Sequence, residues 1–137
     1  MKWTSTLLAY ERDIKNRTFW DWLKAHTSFM YPLHRYIGTL EISKGKLRFN
    51  GEDSKKGGGF SLEIKPEDII SCRYGFDSVF RWWEERAAPW NKPLRVRYKS
   101  GEQETIYLFA NFHHKYGLRG SDNPEVEKRI NSLIAKD

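Results

Sequence analysis

Cationic and aromatic side chains are the residues of this sequence most able to do chemistry, and one segment concentrates them. It holds Trp82, Trp83, Arg86 and Trp90 within nine positions. Tryptophan and arginine are favoured anchors of binding interfaces, so an exposed segment of this composition predicts a recognition patch. The alternative, which we favour, is that the rings pack under the N-terminal helices and extend the core.

A second candidate is a row of cations. Arg95, Arg97 and Lys99 alternate with apolar residues, and this spacing places them on one face of a strand. A basic excess on one part of a surface permits an anionic partner. The simpler interpretation is a solvated strand face whose cations pair with Glu102 and Glu104.

The same face could hold nucleic acid if aromatic rings lie beside the cations. Tyr107 and Phe109 share the face in one register of the following strand, and bases could stack on them while the cations contact phosphates. No RNA-binding motif of the RNP type accompanies these residues. Nucleic acid is therefore the second function that we consider.

A third candidate is a glycine-rich loop. Lys55 and Lys56 precede three consecutive glycines at 57–59, and exposed glycine N–H groups beside two ammonium groups could cradle a phosphate. The spacing is not that of a P-loop, because no Lys-Ser or Lys-Thr pair follows and a strand pattern comes next. We favour a mobile hairpin loop.

The sequence carries no signature of catalysis or of metal binding. His113 and His114 are adjacent, so on a strand they point to opposite faces and are poorly placed to hold one ion. His26, His34 and Cys72 could in principle supply a nucleophile and its base, but an apolar strand around Cys72 favours a buried, inert thiol. We expect no metal and no cofactor. An enzyme is the third class considered, and it would need a concave pocket.

Composition limits the class of protein. The chain has 137 residues and a net charge of +6, which fits one basic domain with its own core. Aromatic residues make up 15%, too many for a disordered chain. No apolar run reaches the roughly 20 residues of a membrane-spanning helix. The absence of a secretory signal and a lone cysteine predict a cytoplasmic protein.

Alternating patterns predict a meander of short strands. The clearest is a hairpin of strands 36–43 and 46–50 around a two-residue Lys-Gly turn. Its register pairs Glu41 with Arg48 on one face. On the other face it pairs Ile42 with Leu47 and Leu40 with Phe49. Further strands are predicted at 60–65, 69–74, 79–83, 94–99 and 105–110.

Helices are predicted at both ends of the chain. Residues 124–135 carry an apolar stripe at helical spacing, with Asn123 as the N-cap. In residues 1–35, Leu7, Tyr10 and Ile14 also follow helical spacing. We therefore predict a single domain over 1–137, made of an N-terminal helical extension (1–35) and a β-rich part with its closing helix (36–135).

The order of these elements resembles the pleckstrin-homology superfold, and within it the GRAM-type and bacterial members. The resemblance rests on the rhythm of Gly38-Thr39-Leu40-Glu41-Ile42, Lys46-Leu47-Arg48-Phe49, Phe60-Ser61-Leu62-Glu63-Ile64 and Ile69-Ile70-Ser71-Cys72. It implies a mainly β fold: a bent, seven-stranded, antiparallel, partly open barrel capped by the C-terminal helix. It also implies a module that binds lipids, peptides or proteins and is seldom an enzyme. The family's basic cluster around the first hairpin is not cleanly present, although Lys44 and Lys46 lie there.

These patterns favour a non-catalytic binding or scaffold domain that engages a protein or an anionic ligand. The surfaces to test are the tryptophan-rich segment, the basic strand face and the lysine pair at 55 and 56. A nucleic-acid-binding domain is the alternative. The identity of the partner and the oligomeric state have no signal in the sequence.

Overall fold

The protein is mainly β-stranded in the part that the computed structural model describes, which is residues 1–15, 34–43, 45–54, 56–75, 92–115 and 118–135. The strands are β1 (Lys2–Tyr10), β2 (Tyr36–Ser43), β3 (Lys46–Asp53), β4 (Gly59–Ile64), β5 (Ile69–Tyr74), β6 (Leu94–Ser100), β7 (Glu102–Phe109), β8 (His113–Lys115) and β9 (Leu118–Gly120). The helical segments are α1 (Glu11–Lys15), a 3-10 turn (Pro66–Asp68) and α2 (Asn123–Ala135). The predicted class, a mainly β protein with a C-terminal helix, is confirmed.

Strands β1 to β7 form one antiparallel sheet in the order β4-β3-β2-β1-β7-β6-β5, and β8 pairs with β9 separately. The sheet has two edges, β4 and β5, so it is not closed. Strand β1 lies at its centre, between a first wing (β2–β4) and a second wing (β5–β7). The sheet has the predicted number of seven strands, but β1, which was not predicted, is one of them. The strand predicted at 79–83 lies outside the described residues.

Strand β1 corrects the prediction of helices over residues 1–35. Lys2–Tyr10 pairs with β2 along one side and, from Leu7 onward, with β7 along the other. The short helix α1 follows directly, and residues 16–33 lie outside the described residues. The run from Leu7 to Tyr10 is buried throughout. It lacks the alternation of a half-exposed strand because both of its faces are covered.

The predicted register of the hairpin is confirmed, and β3 runs beyond the predicted end at Asn50 to Asp53. Strands β2 and β3 place Glu41 opposite Arg48, and the two predicted apolar pairs also face each other. Further along, Gly38 lies opposite Gly51, and a Cβ at Gly38 would overlap the backbone of Asn50 and Gly51. Glycine therefore permits the close approach of the two strands at this point.

Two apolar cores lie on opposite faces of the sheet. The main core, which α2 closes, includes Leu8, Leu40, Phe49, Val96, Ile106, Leu108, Val126 and Ile130. The second core consists of Leu7, Ala9, Ile14, Tyr107, Phe109 and Phe112, with Ile37 packed against it. Members of the two cores alternate along β1 and β7, which explains why both strands read as unbroken apolar runs.

Helix α2 is tied to the sheet by a buried asparagine. Asn123 Oδ1 accepts a hydrogen bond from the Ala110 N–H at 2.9 Å, and its Nδ2 donates to Lys92 O at 2.8 Å and to Leu108 O at 2.9 Å. The predicted N-cap role of this side chain was wrong, because these bonds direct it to the sheet rather than to the first helical turn. The first helical bond runs instead from the Val126 N–H to Asp122 O.

Candidate functional site

Four cations line the face of the second wing that is turned away from the main core, and we call them the basic strip: Arg73, Arg95, Arg97 and Lys99. The intervening residues of β6 belong to the main core, so the three cations of β6 share the opposite face, as predicted. Pairing of β5 with β6 then places Arg73 directly opposite Arg95. Arg73 and Lys99 are exposed, and Arg95 and Arg97 are half-buried.

The residues that lie opposite the strip on neighbouring strands are neutral, except that Arg73 and Arg95 lie opposite each other. Arg97 lies between Ser71 and Thr105, and Lys99 lies opposite Gln103. The Gln103 amide is oriented with its oxygen toward Arg97. This oxygen accepts hydrogen bonds from Arg97 Nε at 3.1 Å and from Arg97 Nη2. An amide positions the guanidinium without neutralising its charge.

The first wing presents a contrast on the same sheet. Its outward face carries the cations Lys46 and Arg48 together with the carboxylates Glu41, Glu52 and Glu63, and Lys2 of the adjoining β1 lies opposite Glu41. Lys2 Nζ lies 3.5 Å from Glu41, Lys46 Nζ lies 3.2 Å from Glu63, and Arg48 Nε lies 3.4 Å from Glu63. Charge is balanced on the first wing and concentrated on the second.

Placing Arg73 opposite Arg95 concentrates charge further. Directly opposed residues of antiparallel strands have Cβ atoms about 5 Å apart, and like charges in that position destabilise the pair. The pair therefore adds two positive charges to this face of the second wing.

Glu102 and Glu104 do not pair with the strip, which corrects the simpler interpretation. Glu104 lies opposite Tyr98 and Glu102 opposite Ser100, so alternation turns both away from the strip. Glu104 Oε2 instead accepts from Arg12 Nη1 at 2.8 Å. Burial and a hydrogen bond to Tyr10 raise the pKa of Tyr98 beside it, so this end of the main core holds its own set of polar contacts.

The two rings needed for base stacking are in the predicted register but inaccessible. Tyr107 lies opposite Arg95, on the same face as the strip. Tyr107 is 2% exposed and Phe109 is 1% exposed, because both belong to the second core. Among the residues that the structure describes on this face, the cations therefore have no exposed aromatic ring beside them.

Two backbone amides of the glycine-rich loop are bound by Asp53. The Lys56 N–H donates to Asp53 Oδ1 at 3.0 Å, and the Gly57 N–H donates to Asp53 O at 2.8 Å. These two groups are therefore not available to a phosphate while Asp53 holds them. Its carboxylate also pairs with Arg35 at 2.8 Å, and this hydrogen bond raises the pKa of Arg35. Lys56 is exposed at the surface of a closed turn, and Lys55 lies outside the described residues.

No protein-family model, curated protein or solved structure matches this chain. The pleckstrin-homology resemblance stays a prediction.

Most of the remaining predicted site residues lie outside the described residues: Trp82, Trp83, Arg86, Trp90 and His26. Burial, followed by the charge of Glu127, raises the pKa of the Cys72 thiol to about 12, which leaves it protonated near neutral pH. Cys72 is half-buried rather than fully buried, and its inertness stays a prediction.

Three further observations complete the description. Among the described residues, no three side chains of His, Cys, Asp or Glu are close enough to hold a metal ion. A crevice between Leu8, Leu47 and Ile106 has no interior space for a water-sized sphere. No helix in the described ranges is long and apolar enough to cross a membrane.

Arg73 is the member of the site that sequence reasoning missed. The register of β5 shifts between Ile69 and Ser71, and this irregularity decides which residues of β5 face the strip. Neighbouring Ile70 is 50% exposed. A pattern of alternation cannot reveal a bulge, although the charge of Arg73 within an apolar strand was a signal that it faces outward.

Proposed function

We propose that the chain is a non-catalytic binding domain that holds an anionic partner on the basic strip. The observation that carries the proposal is the contrast between the two wings. Lys46 and Arg48 of the first wing pair with Glu63, whereas Arg97 and Lys99 of the second wing have neutral register partners. A surface that concentrates one sign of charge attracts the opposite sign and accelerates encounter.

The geometry favours a protein over nucleic acid as this partner. Non-specific nucleic-acid sites combine a basic groove with stacking platforms, and the rings beside the strip are buried in the second core. Anionic side chains need no such platform. An isolated cationic face with an exposed Ile70 at its margin suits the mixed surface of a protein partner.

The pleckstrin-homology resemblance remains a prediction that agrees with this function. A seven-stranded antiparallel sheet with a C-terminal helix against its main core supports it, and the family implies a binding module. Fold-level analogy does not by itself assign a partner. The cytoplasmic location likewise rests on the sequence alone.

The test is binding of fluorescein-labelled oligoglutamate, measured by anisotropy at low and at physiological salt. We compare the double variants R73Q/R97Q and K46Q/R48Q, which each remove two positive charges from one wing. Exposed ion pairs contribute up to about 1 kcal/mol each, so loss of two strip cations should weaken binding roughly tenfold. The first-wing control should change it less than about twofold.

Equal weakening by the two double variants would show that net charge, not the strip, holds the ligand. Absence of binding by the native chain at low salt would reject the proposal outright. Matching thermal unfolding of all three proteins establishes that the variants are folded. Binding should weaken as salt rises, because exposed charges are screened.

A further inference from the structure

The spacing of the strip constrains which anionic partner can use all of it. Arg97 and Lys99 are two residues apart on one strand, so their backbone attachment points are about 6.6–6.8 Å apart. Arg73 and Arg97 occupy diagonal positions across β5 and β6, where such separations are about 7–8 Å. Arg97 therefore has a second cation at about 7 Å in each of two directions.

An extended peptide repeats at the same distance. Its side chains at every second position lie on one face, spaced about 6.6–6.8 Å, and the intervening side chains point away. Carboxylates on alternate residues of such a peptide can each meet one cation of the strip. Carboxylates at every third residue fall on alternating faces and cannot do so together.

The strip is held in place before a partner arrives. Its cations stand on paired strands of one sheet, and Gln103 orients the guanidinium of Arg97. Fixing these groups in advance lowers the conformational entropy lost on binding. Half-exposed Ile70, at the bulge of β5 beside the strip, adds an apolar contact for a flanking side chain.

We infer that the partner presents an extended acidic segment with carboxylates on alternate residues, which lies across the strip from Lys99 through Arg97 to Arg73. The inference rests on the proposed function and adds the conformation and spacing of the ligand. Single-stranded nucleic acid also repeats its charges, but it gains much of its affinity from stacking, which the buried rings beside the strip do not offer.

Two labelled peptides of equal length and composition test the inference. Both contain three glutamates among threonines, at every second position in one and at every third position in the other. The alternating peptide can meet three cations and the other peptide only one, so it should bind the native chain roughly tenfold tighter, the effect of about two additional exposed ion pairs. This advantage should fall to about threefold in R97Q, where one ion pair is lost, and persist in R48Q, the matched arginine of the first wing.

The outcomes distinguish failure of the inferred carboxylate spacing from failure of the proposed anion site. Equal affinity of the peptides, with both weakened by R73Q/R97Q, overturns the spacing and leaves the anion site in place. No binding of either peptide overturns the proposed function as well. A deoxythymidine oligonucleotide that binds more tightly than the alternating peptide, and loses that binding in R97Q, would identify nucleic acid as the partner and overturn the inference.

Discussion

Replacing Asn123 by alanine tests whether a single side chain fastens the closing helix to the sheet. The substitution removes one acceptor and both donors, so the Ala110 N–H and the carbonyls of Lys92 and Leu108 lose their partners. A buried backbone group left without a hydrogen bond costs about 1–3 kcal/mol. The bonds to Ala110 and Leu108 are buried and the one to Lys92 is partly buried, where water can substitute.

The expected loss in the free energy of unfolding is therefore about 3–5 kcal/mol. That is a large fraction of the roughly 5–15 kcal/mol of a typical domain, and it corresponds to a fall in Tm of roughly 10–20 °C. Urea unfolding followed by tryptophan fluorescence measures it. Asn123→Asp should be at least as damaging, because a carboxylate keeps the acceptor but turns an oxygen toward two carbonyl oxygens.

Asn131→Ala is the matched control, since Asn131 is exposed on the same helix. Exposed substitutions away from special features change stability by about 0.5 kcal/mol or less. If Asn123→Ala were no more than about 1 kcal/mol less stable than Asn131→Ala, the three hydrogen bonds would not fasten the helix, and the reasoning would be refuted.

Two further predictions concern the sheet and the thiol. Gly38→Ala should destabilise the fold by about 2–3 kcal/mol, because its Cβ overlaps the backbone of β3. Gly59→Ala, which meets nothing within 4 Å, should have almost no effect on Tm, and equal shifts would contradict the close approach of the strands. The raised pKa of Cys72, about 12 against 9.0 for a free thiol, favours the protonated form in the fold. This contribution is complete below about pH 9 and is lost as the pH rises toward 12, because only the unfolded chain ionises its thiol in that window. The native thiol should also resist iodoacetamide near pH 8, and Cys72→Val should flatten the alkaline decline in stability; an unchanged decline would exclude the thiol as its source.

The parts of the fold that could be predicted are those in which one face of a strand meets water. In the hairpin of β2 and β3, the apolar pairs on one side and Glu41 with Arg48 on the other admit a single register. The closing helix was predictable for the same reason, because Val126 and Ile130 recur at helical spacing and are fully buried. Alternation of polar and apolar residues carries this information.

Where both faces are covered, that information is lost. Leu7, Leu8 and Ala9 are consecutive and buried, so β1 has no period of two, and its spacing coincides with that of a helix. The run at Ile106–Phe109 left its register open for the same reason. Only the pairing of β1 with β7, a long-range contact, assigns these residues to the two cores.

The candidate site was predictable in part. The common face of Arg95, Arg97 and Lys99 followed from alternation and is present. The expectation that Glu102 and Glu104 neutralise it failed, because the same alternation carries them to the other side of β7. Arg73 depends on the irregular register of β5, and sequence patterns hold no record of such an irregularity.

The central position of β1 has a kinetic consequence. Leu7 pairs with Phe109, so β1 completes its pairing only when β7, far along the sequence, is available. The long loop between these strands must close, at a cost in chain entropy, before the contacts between them can form. Folding through such pairings is therefore slow. During synthesis the first wing can form from neighbouring hairpins. The apolar strand β1 lacks its second neighbouring strand until β7 has emerged. The nascent chain is then most exposed to aggregation, and β7 contributes residues to both cores when it pairs.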